Sequence, residues 1–224
     1  MYCHLLCALV HRDDVEVLTA IFAFTLVEAL RMLEVEWKNL CHDIKFGHLN
    51  QSKMIDPSLR AIMKHKVLTC GNARRADQVA AICEAASQQC AWNGIIKQLW
   101  PRCKYVLSIM TGSMETYVER LQAYAGKDVP LVSADYGASE GWIAANINPR
   151  SPPNQVSFTT IPSLGYFEFL PLSNVIENAK VAPSSSSSSD QVGHMCTSNL
   201  ETTPVNLDEV KLGQDYQIVM TTTG

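Results

Sequence analysis

Two short loops hold the residues best suited to chemistry. The first is "MTGSME", Met110 to Glu115, in which Thr111 and Ser113 offer hydroxyls. Gly112 between them lets the backbone approach a ligand closely. A helix starting at Met114 would aim free N–H groups at an anion. Thr-Gly-Ser is also an ordinary turn and cap. The second loop is "DYGASEG", Asp135 to Gly141, which places one carboxylate, Glu140, on a small-residue turn between Tyr136 and Trp142. An ionised carboxylate there has few partners of its own. A Mg²⁺ ion carried by a nucleotide would satisfy it, since that ion binds through one or two carboxylates plus phosphate oxygens. Gly137 and Ala138 would leave room for a base or ribose, and Tyr136 could stack on the base. Ser139 could hydrogen-bond a phosphate, and Trp142 presents an apolar plane beside it. The plain alternative is an exposed turn with a solvated Glu.

Loops can act together only if something holds them together. "KYVLSIM" reads as a strand running into the first loop and "VPLVSADYG" as a strand running into the second. The helix "METYVERLQAYAG", closed by Gly126, joins them. Such a strand–helix–strand unit pairs in parallel and sets both loops side by side at the carboxyl ends of its strands, the usual ligand position in α/β folds.

The first hundred residues read as mostly helical. A helical pattern runs from residue 2 to Gly47, with a second start at Asp13 and Asp14. Val15, Leu18, Ile21, Phe22, Val27, Leu30 and Leu33 form its apolar face. "IDPSLRAIMKHK" is a short helix with Asp56 as cap and Pro57 in first position. "ARRADQVAAICEAASQQC" and "NGIIKQLWP" are two more. After the second loop, "GWIAANI", "QVSFTTIP" and "YFEFLPL" read as antiparallel strands, and "VKLGQDYQIVMTTTG" supplies a further hairpin strand. Residues 173–204, with "PSSSSSSDQVG", are expected to form a flexible loop. The fold class is mixed α/β, helical in its first half.

Composition narrows the function. The 224 residues are 47% hydrophobic, enough for a sizeable core, and the net charge of −4 offers no basic field for nucleic acid. No apolar run approaches the ~20 residues of a membrane helix, and no signal peptide is read. Eight cysteines are scattered without a CxxC pair, the pattern of free thiols in a reducing, cytoplasmic compartment. Cys3, Cys7 and His11 share one helix face, but without tighter pairs or a fourth ligand they read as packing rather than a metal site.

"DYGASEGWIAAN" resembles the Tyr-Gly-Ser-Ser-Glu-Gly-Trp segment of the plant acyl-acid amido synthetases, the auxin-responsive Gretchen Hagen family. "YCHLLCALVHRDDV", "IFAFTLVEALRMLE", "DIKFGHL", "WPRCKYVLSIMTGSMETYVERLQAYAG" and "YFEFLPL" follow the family in the same order. Trp142 after Ser-Glu-Gly is similar to the jasmonate-conjugating branch. The resemblance implies an acyl-adenylate-forming fold and a cytoplasmic ligase of plant hormone homeostasis. Such a ligase uses ATP and Mg²⁺ to join a small carboxylic acid to an amino acid through an acyl-adenylate. It implies that Tyr136, Gly137, Ala138, Ser139 and Glu140 line the nucleotide, with Thr111 and Gly112 close by, and that Glu140 and Ser139 serve catalysis, Glu140 through the metal. It implies that Val27, Ala134, Trp142 and Thr111 line the acid site. Ala138 stands where the family has the first of two serines, and Ala134 where jasmonate-type members carry a His. The chain is expected to be part of the large N-terminal domain, without the small C-terminal domain, and inactive by itself. The alternative is a non-catalytic relative that binds a nucleotide or a small acid.

Overall fold

The computed structural model describes residues 1–50, 56–90, 92–172 and 203–221. The chain divides into two compact units, the first of residues 1–136 with 145–159, the second of 137–144 with 160–224.

The first unit is built around α2, Ala23–Phe46. Its buried Ala23, Val27, Leu30, Leu33, Leu40, Cys41 and Ile44 fall on one face at steps of three, four and seven residues, with Cys41 beside Leu40, so that face stays apolar over six turns. The helix stops at Gly47, whose φ of 68° is left-handed and whose N–H bonds the Asp43 carbonyl. A side chain at Gly47 would also run into the backbone N of Gly71, 2.6 Å from the Cβ position. Around α2 pack α1 (Tyr2–Val10), α4 (Ala73–Ala85) and α6 (Val118–Ala125), with α3 (Pro57–Ile62) and α5 (Ile95–Leu99) as shorter pieces. Asp56 caps α3 as expected, accepting from the N–H groups of Ser58 and Leu59. Glu34 on α2 accepts from Arg120 and Tyr124 on α6, each at 2.7 Å, and joins the two helices.

The long helical reading of the N-terminus is corrected at its centre. Val17–Phe22 is a strand, β1, between α1 and α2. Val17, Leu18 and Thr19 pair in parallel with Tyr105, Val106 and Leu107 of β2 (Tyr105–Ile109), with an irregularity before Phe22 meets Ile109. "VLTAIF" contains two β-branched aliphatics and a threonine, and the gain from pairing with β2 outweighs a weak helical preference. On its other side β2 pairs in parallel with β3, Leu131–Val132. The expected strand–helix–strand unit is therefore present, supplying the central and one edge strand of a sheet ordered β1–β2–β3.

The strand read in "VPLVSADYG" is two strands. β3 ends at Val132, and β4, Asp135–Ala138, starts a different sheet, ordered β4–β5–β6 with β5 at Gly141–Asn146 and β6 at Phe158–Thr160. The break falls at Ser133, whose buried hydroxyl accepts from the Met110 N–H at 3.4 Å and whose carbonyl accepts from the Asn146 side chain at 2.9 Å. In the second unit β7 (Tyr166–Pro171) pairs antiparallel with β8 (Val205–Asn206) and with β9 (Tyr216–Thr221), burying Phe167 and Phe169. The loop expected over 173–204 lies outside the described residues except for 203 and 204.

Six of the eight cysteines, Cys3, Cys7, Cys41, Cys70, Cys83 and Cys103, are free thiols, as expected; the side chain of Cys90 and the whole of Cys196 lie outside what the structure describes. Burial pushes Cys41 up to about 11, and burial with the neighbouring Cys41 pushes Cys83 up to about 12, from an ordinary value of 9.0. The folded protein therefore keeps these protons longer than the unfolded chain does. Their stabilising effect is complete below pH 9.0 and is lost as pH climbs through the folded values. The melting temperature is expected to fall steeply from pH 9 to 11, and Cys83→Ala is expected to flatten that slope; an unchanged slope would refute the assignment.

Candidate functional site

The first loop follows β2. Thr111 is half-buried, and Gly112 is exposed with a left-handed φ of 60°, a conformation that favours glycine. The helical start differs from expectation. A 3₁₀ segment, Gly112–Tyr117, precedes α6. Met114 N–H bonds the Thr111 carbonyl, and the Glu115 carboxylate accepts from the Gly112 N–H at 3.2 Å. A negative charge of the chain itself thus occupies this turn, so the expected free anion-facing N–H groups at Met114 are not there. β2 and β3 do lie side by side, and the Met110–Ser133 hydrogen bond ties their carboxyl ends together. Ala134, the next residue, is half-buried, and its carbonyl accepts from the Asn146 N–H.

The second loop is the tip of a β-hairpin. Ser139 and Glu140 form a two-residue turn between β4 and β5, a link short enough to force antiparallel strands. Gly137 to Glu140 are all exposed, and Trp142 is 59% exposed. The Ser139 hydroxyl, and then the Glu140 backbone N–H, hold the Glu140 carboxyl below the usual carboxylate range, so it is ionised at neutral pH. Ile143 and Ala144 bury the base of the tip. The side chain of Met220 on β9 reaches to 3.1 Å from the Cβ position of Gly141 and to 3.0 Å from that of Gly165, so two glycines make room for one thioether. Nothing in the residue pattern marked Met220 as the support of this turn. A Cβ at Gly137 would meet the Gly141 carbonyl at 3.4 Å, an ordinary contact, so the chain itself does not demand glycine there.

Tyr136 belongs to the first unit with Ala134, Thr111 and Gly112, whereas Gly137, Ala138, Ser139, Glu140 and Trp142 belong to the second. Tyr136 is 40% exposed and tilts against Phe158, with ring centroids 5.7 Å apart. Val27 is fully buried in the core of the first unit. An apolar cavity of about 610 Å³ also opens in this unit, lined by Leu5, Leu18, Leu26, Leu30, Trp100 and Val106 among others. None of the site residues expected from the sequence lines it, and its scarcity of polar groups suits hydrocarbon rather than phosphate. Among the described residues no three His, Cys, Asp or Glu gather as a metal cluster, Cys3, Cys7 and His11 included. Also among them, no helix is long and apolar enough to cross a membrane.

Comparison with known proteins gives the family and the fold. The chain is 42% identical over 222 residues to jasmonoyl–L-amino acid synthetase GH3.3 of Oryza sativa subsp. japonica, covering 99% of this chain and 43% of the relative. It is 38% identical to indole-3-acetic acid-amido synthetase GH3.10 of Arabidopsis thaliana, covering 99% of this chain and 35% of the relative. The structure of AtGH3.15 acyl acid amido synthetase in complex with 2,4-DB superposes with a TM-score of 0.78 at 34% identity, covering 99% of this chain and 33% of that one. The chain thus spans between a third and under half of the length of these relatives. The model of the GH3 family N-terminal domain matches residues 1–131, and that of the GH3 family central domain matches residues 158–224. With family models matching on both sides of the hairpin and relatives aligned along 99% of its length, the chain belongs to the GH3 family, with the mixed α/β fold of its acyl acid amido synthetases.

Proposed function

We propose that this chain is part of an ATP-dependent ligase that joins a small carboxylic acid of the jasmonate type to an amino acid through an acyl-adenylate. The observation that carries the reading is the hairpin tip, a single exposed carboxylate kept ionised by its own turn and followed by exposed Trp142. It occurs in a chain whose relatives are named for linking jasmonate or indole-3-acetic acid to amino acids.

Roles follow residue by residue. Glu140 has the chemistry to hold Mg²⁺, being a hard oxygen ligand, anionic at neutral pH and engaged only by light local hydrogen bonds. The metal would supply charge neutralisation on the phosphates. Ser139 orients the carboxylate through its hydroxyl and has the chemistry to bond a phosphate oxygen. Tyr136 offers its face to a base, and Gly137 and Ala138 present a backbone with little side chain above it. Thr111 and Gly112 would contact the substrates through a hydroxyl and an open left-handed turn. Trp142 and Ala134 would meet the acid, while Val27 acts from within the core. The substrates would be ATP, the acid and the amino acid, with pyrophosphate released on adenylation and AMP on amide formation, and with no nucleic acid or membrane partner, in a cytoplasmic setting.

Calorimetric titration of the 224-residue chain with Mg²⁺·ATP tests the reading. Saturable binding is expected, weakened about tenfold or more by Glu140→Ala, with a much smaller difference between the two proteins when Mg²⁺ is chelated. Glu140 is fully exposed, so folding will not confound the comparison. Absence of ATP binding, or equal affinity in Glu140→Ala, would overturn it.

A further inference from the structure

The turn that carries Glu140 has little of its own to hold it. Gly137 to Glu140 are exposed, and the buried side chains nearest the tip, Ile143 and Ala144, lie on β5 beyond Trp142. A support reaches the turn from β9. Among the described residues, and leaving aside its chain neighbours, only Met220 comes within 4 Å of the Gly141 Cβ position, with Cε at 3.1 Å and Sδ at 3.7 Å. The same methyl group stands 3.0 Å from the Cβ position of Gly165, immediately before β7, with Met220 Cγ at 3.5 Å. These spacings are closer than ordinary van der Waals contact, so a side chain at either glycine would push the thioether from its seat. The backbone of Met220 is itself fixed by the sheet. It pairs with Phe167 of the central strand β7, and directly opposed residues share a face, so Met220 stands beside a phenyl ring only 4% exposed. A hairpin, a bend and an edge strand, all in the second unit, thus converge on one side chain.

We propose that Met220 is a positioning residue for the hairpin tip: its thioether, seated between Gly141 and Gly165, sets where Glu140 and Trp142 stand. Gly141 separates those two residues, so a contact on its α-carbon acts on both neighbours at once. Successive residues of a strand face opposite ways, so support on the Gly141 side of β5 leaves Trp142 on the other side, in keeping with its 59% exposure. The contact is apolar and short in range, so it requires volume in the slot rather than sulfur chemistry. A carboxylate that meets a metal ion must do so at a fixed distance, and small displacements cost affinity. That consequence for Mg²⁺·ATP rests on the ligase reading above; the effect of Met220 on the geometry of the tip does not.

The test uses the 224-residue chain labelled with 5-fluorotryptophan, in which the Trp142 ¹⁹F resonance is assigned by its loss in Trp142→Phe. In the ligand-free protein Met220→Ala is expected to move and sharpen that resonance, while those of Trp37, Trp92 and Trp100, all in the first unit, stay in place. Met220→Leu keeps most of the volume and is expected to return the Trp142 signal close to its original position. A contribution to stability alone would leave Trp142 unmoved below the melting temperature. Calorimetric titration with Mg²⁺·ATP is expected to show affinity reduced about fivefold or more in Met220→Ala and recovered in Met220→Leu. No binding by the unsubstituted chain would sink the ligase reading and leave the fluorine signal to decide this proposal. An unmoved Trp142 resonance in Met220→Ala, a signal displaced as far in Met220→Leu as in Met220→Ala, or full affinity in Met220→Ala where the unsubstituted chain binds would each overturn it.

Discussion

Trp100→Ala is expected to destabilise the first unit by about 3–5 kcal/mol, a large part of the stability of an ordinary domain. Trp100 is 1% exposed and stands among the largest fully buried side chains of the core. Its ring N–H donates to the Ala8 carbonyl at 3.0 Å, across 92 residues of sequence. Truncation would remove apolar contact, open space beside an existing cavity and leave a carbonyl at the end of α1 without this donor. Urea unfolding followed by far-ultraviolet circular dichroism measures the loss without relying on the deleted fluorophore. Trp100→Phe keeps most of the volume and should cost far less. A loss under about 1 kcal/mol in Trp100→Ala would mean that the core closes over the gap.

The second large effect is expected at Asp43. Burial first, and the Asp43 hydrogen bond second, push the Tyr2 hydroxyl far above the usual phenol range. Asp43→Ala would leave that 7%-exposed phenol without its acceptor and remove one hydrogen bond from the Asn50 N–H. The expected cost is about 2–4 kcal/mol, because buried polar groups are dear to leave unpaired. Tyr2→Phe alone should cost less, since Asp43 keeps its Asn50 donor. The double variant should lose clearly less than the sum of the singles, the signature of a direct partnership. Additive losses, measured by the same unfolding experiment, would show that the two side chains act independently.

Much of this was legible before any coordinates. The buried face of α2, the Asp56–Pro57 start of α3 and the helix stop at Gly47 depend on neighbours within a turn or two. Local spacing and backbone preference suffice for them. β2 and the helix after it were readable for the same reason, and their parallel pairing with β3 followed from a handedness rule. The Ser139–Glu140 turn announced itself through small residues around one carboxylate.

Other features were not local. Val17–Phe22 reads as helix because its apolar residues fall at helical steps, yet it pairs with a strand more than eighty residues away. A sequence window cannot contain that partner. Likewise "VPLVSADYG" is continuous as a string, but it is divided between two sheets at Ser133, where the side-chain amide of Asn146 and the N–H of Met110 converge. At the first loop the sequence suggested free N–H groups, whereas folding brought Glu115 back onto Gly112.

Read alone, the chain determined most of its local elements, its family likeness and the identity of the carboxylate at the hairpin turn, because these rest on residue chemistry and short-range geometry. Tertiary structure decided which strands share a sheet and which donors Asp43 and Ser133 receive. Those outcomes depend on contacts between distant segments, whose free energies are settled only when the whole first unit packs around α2.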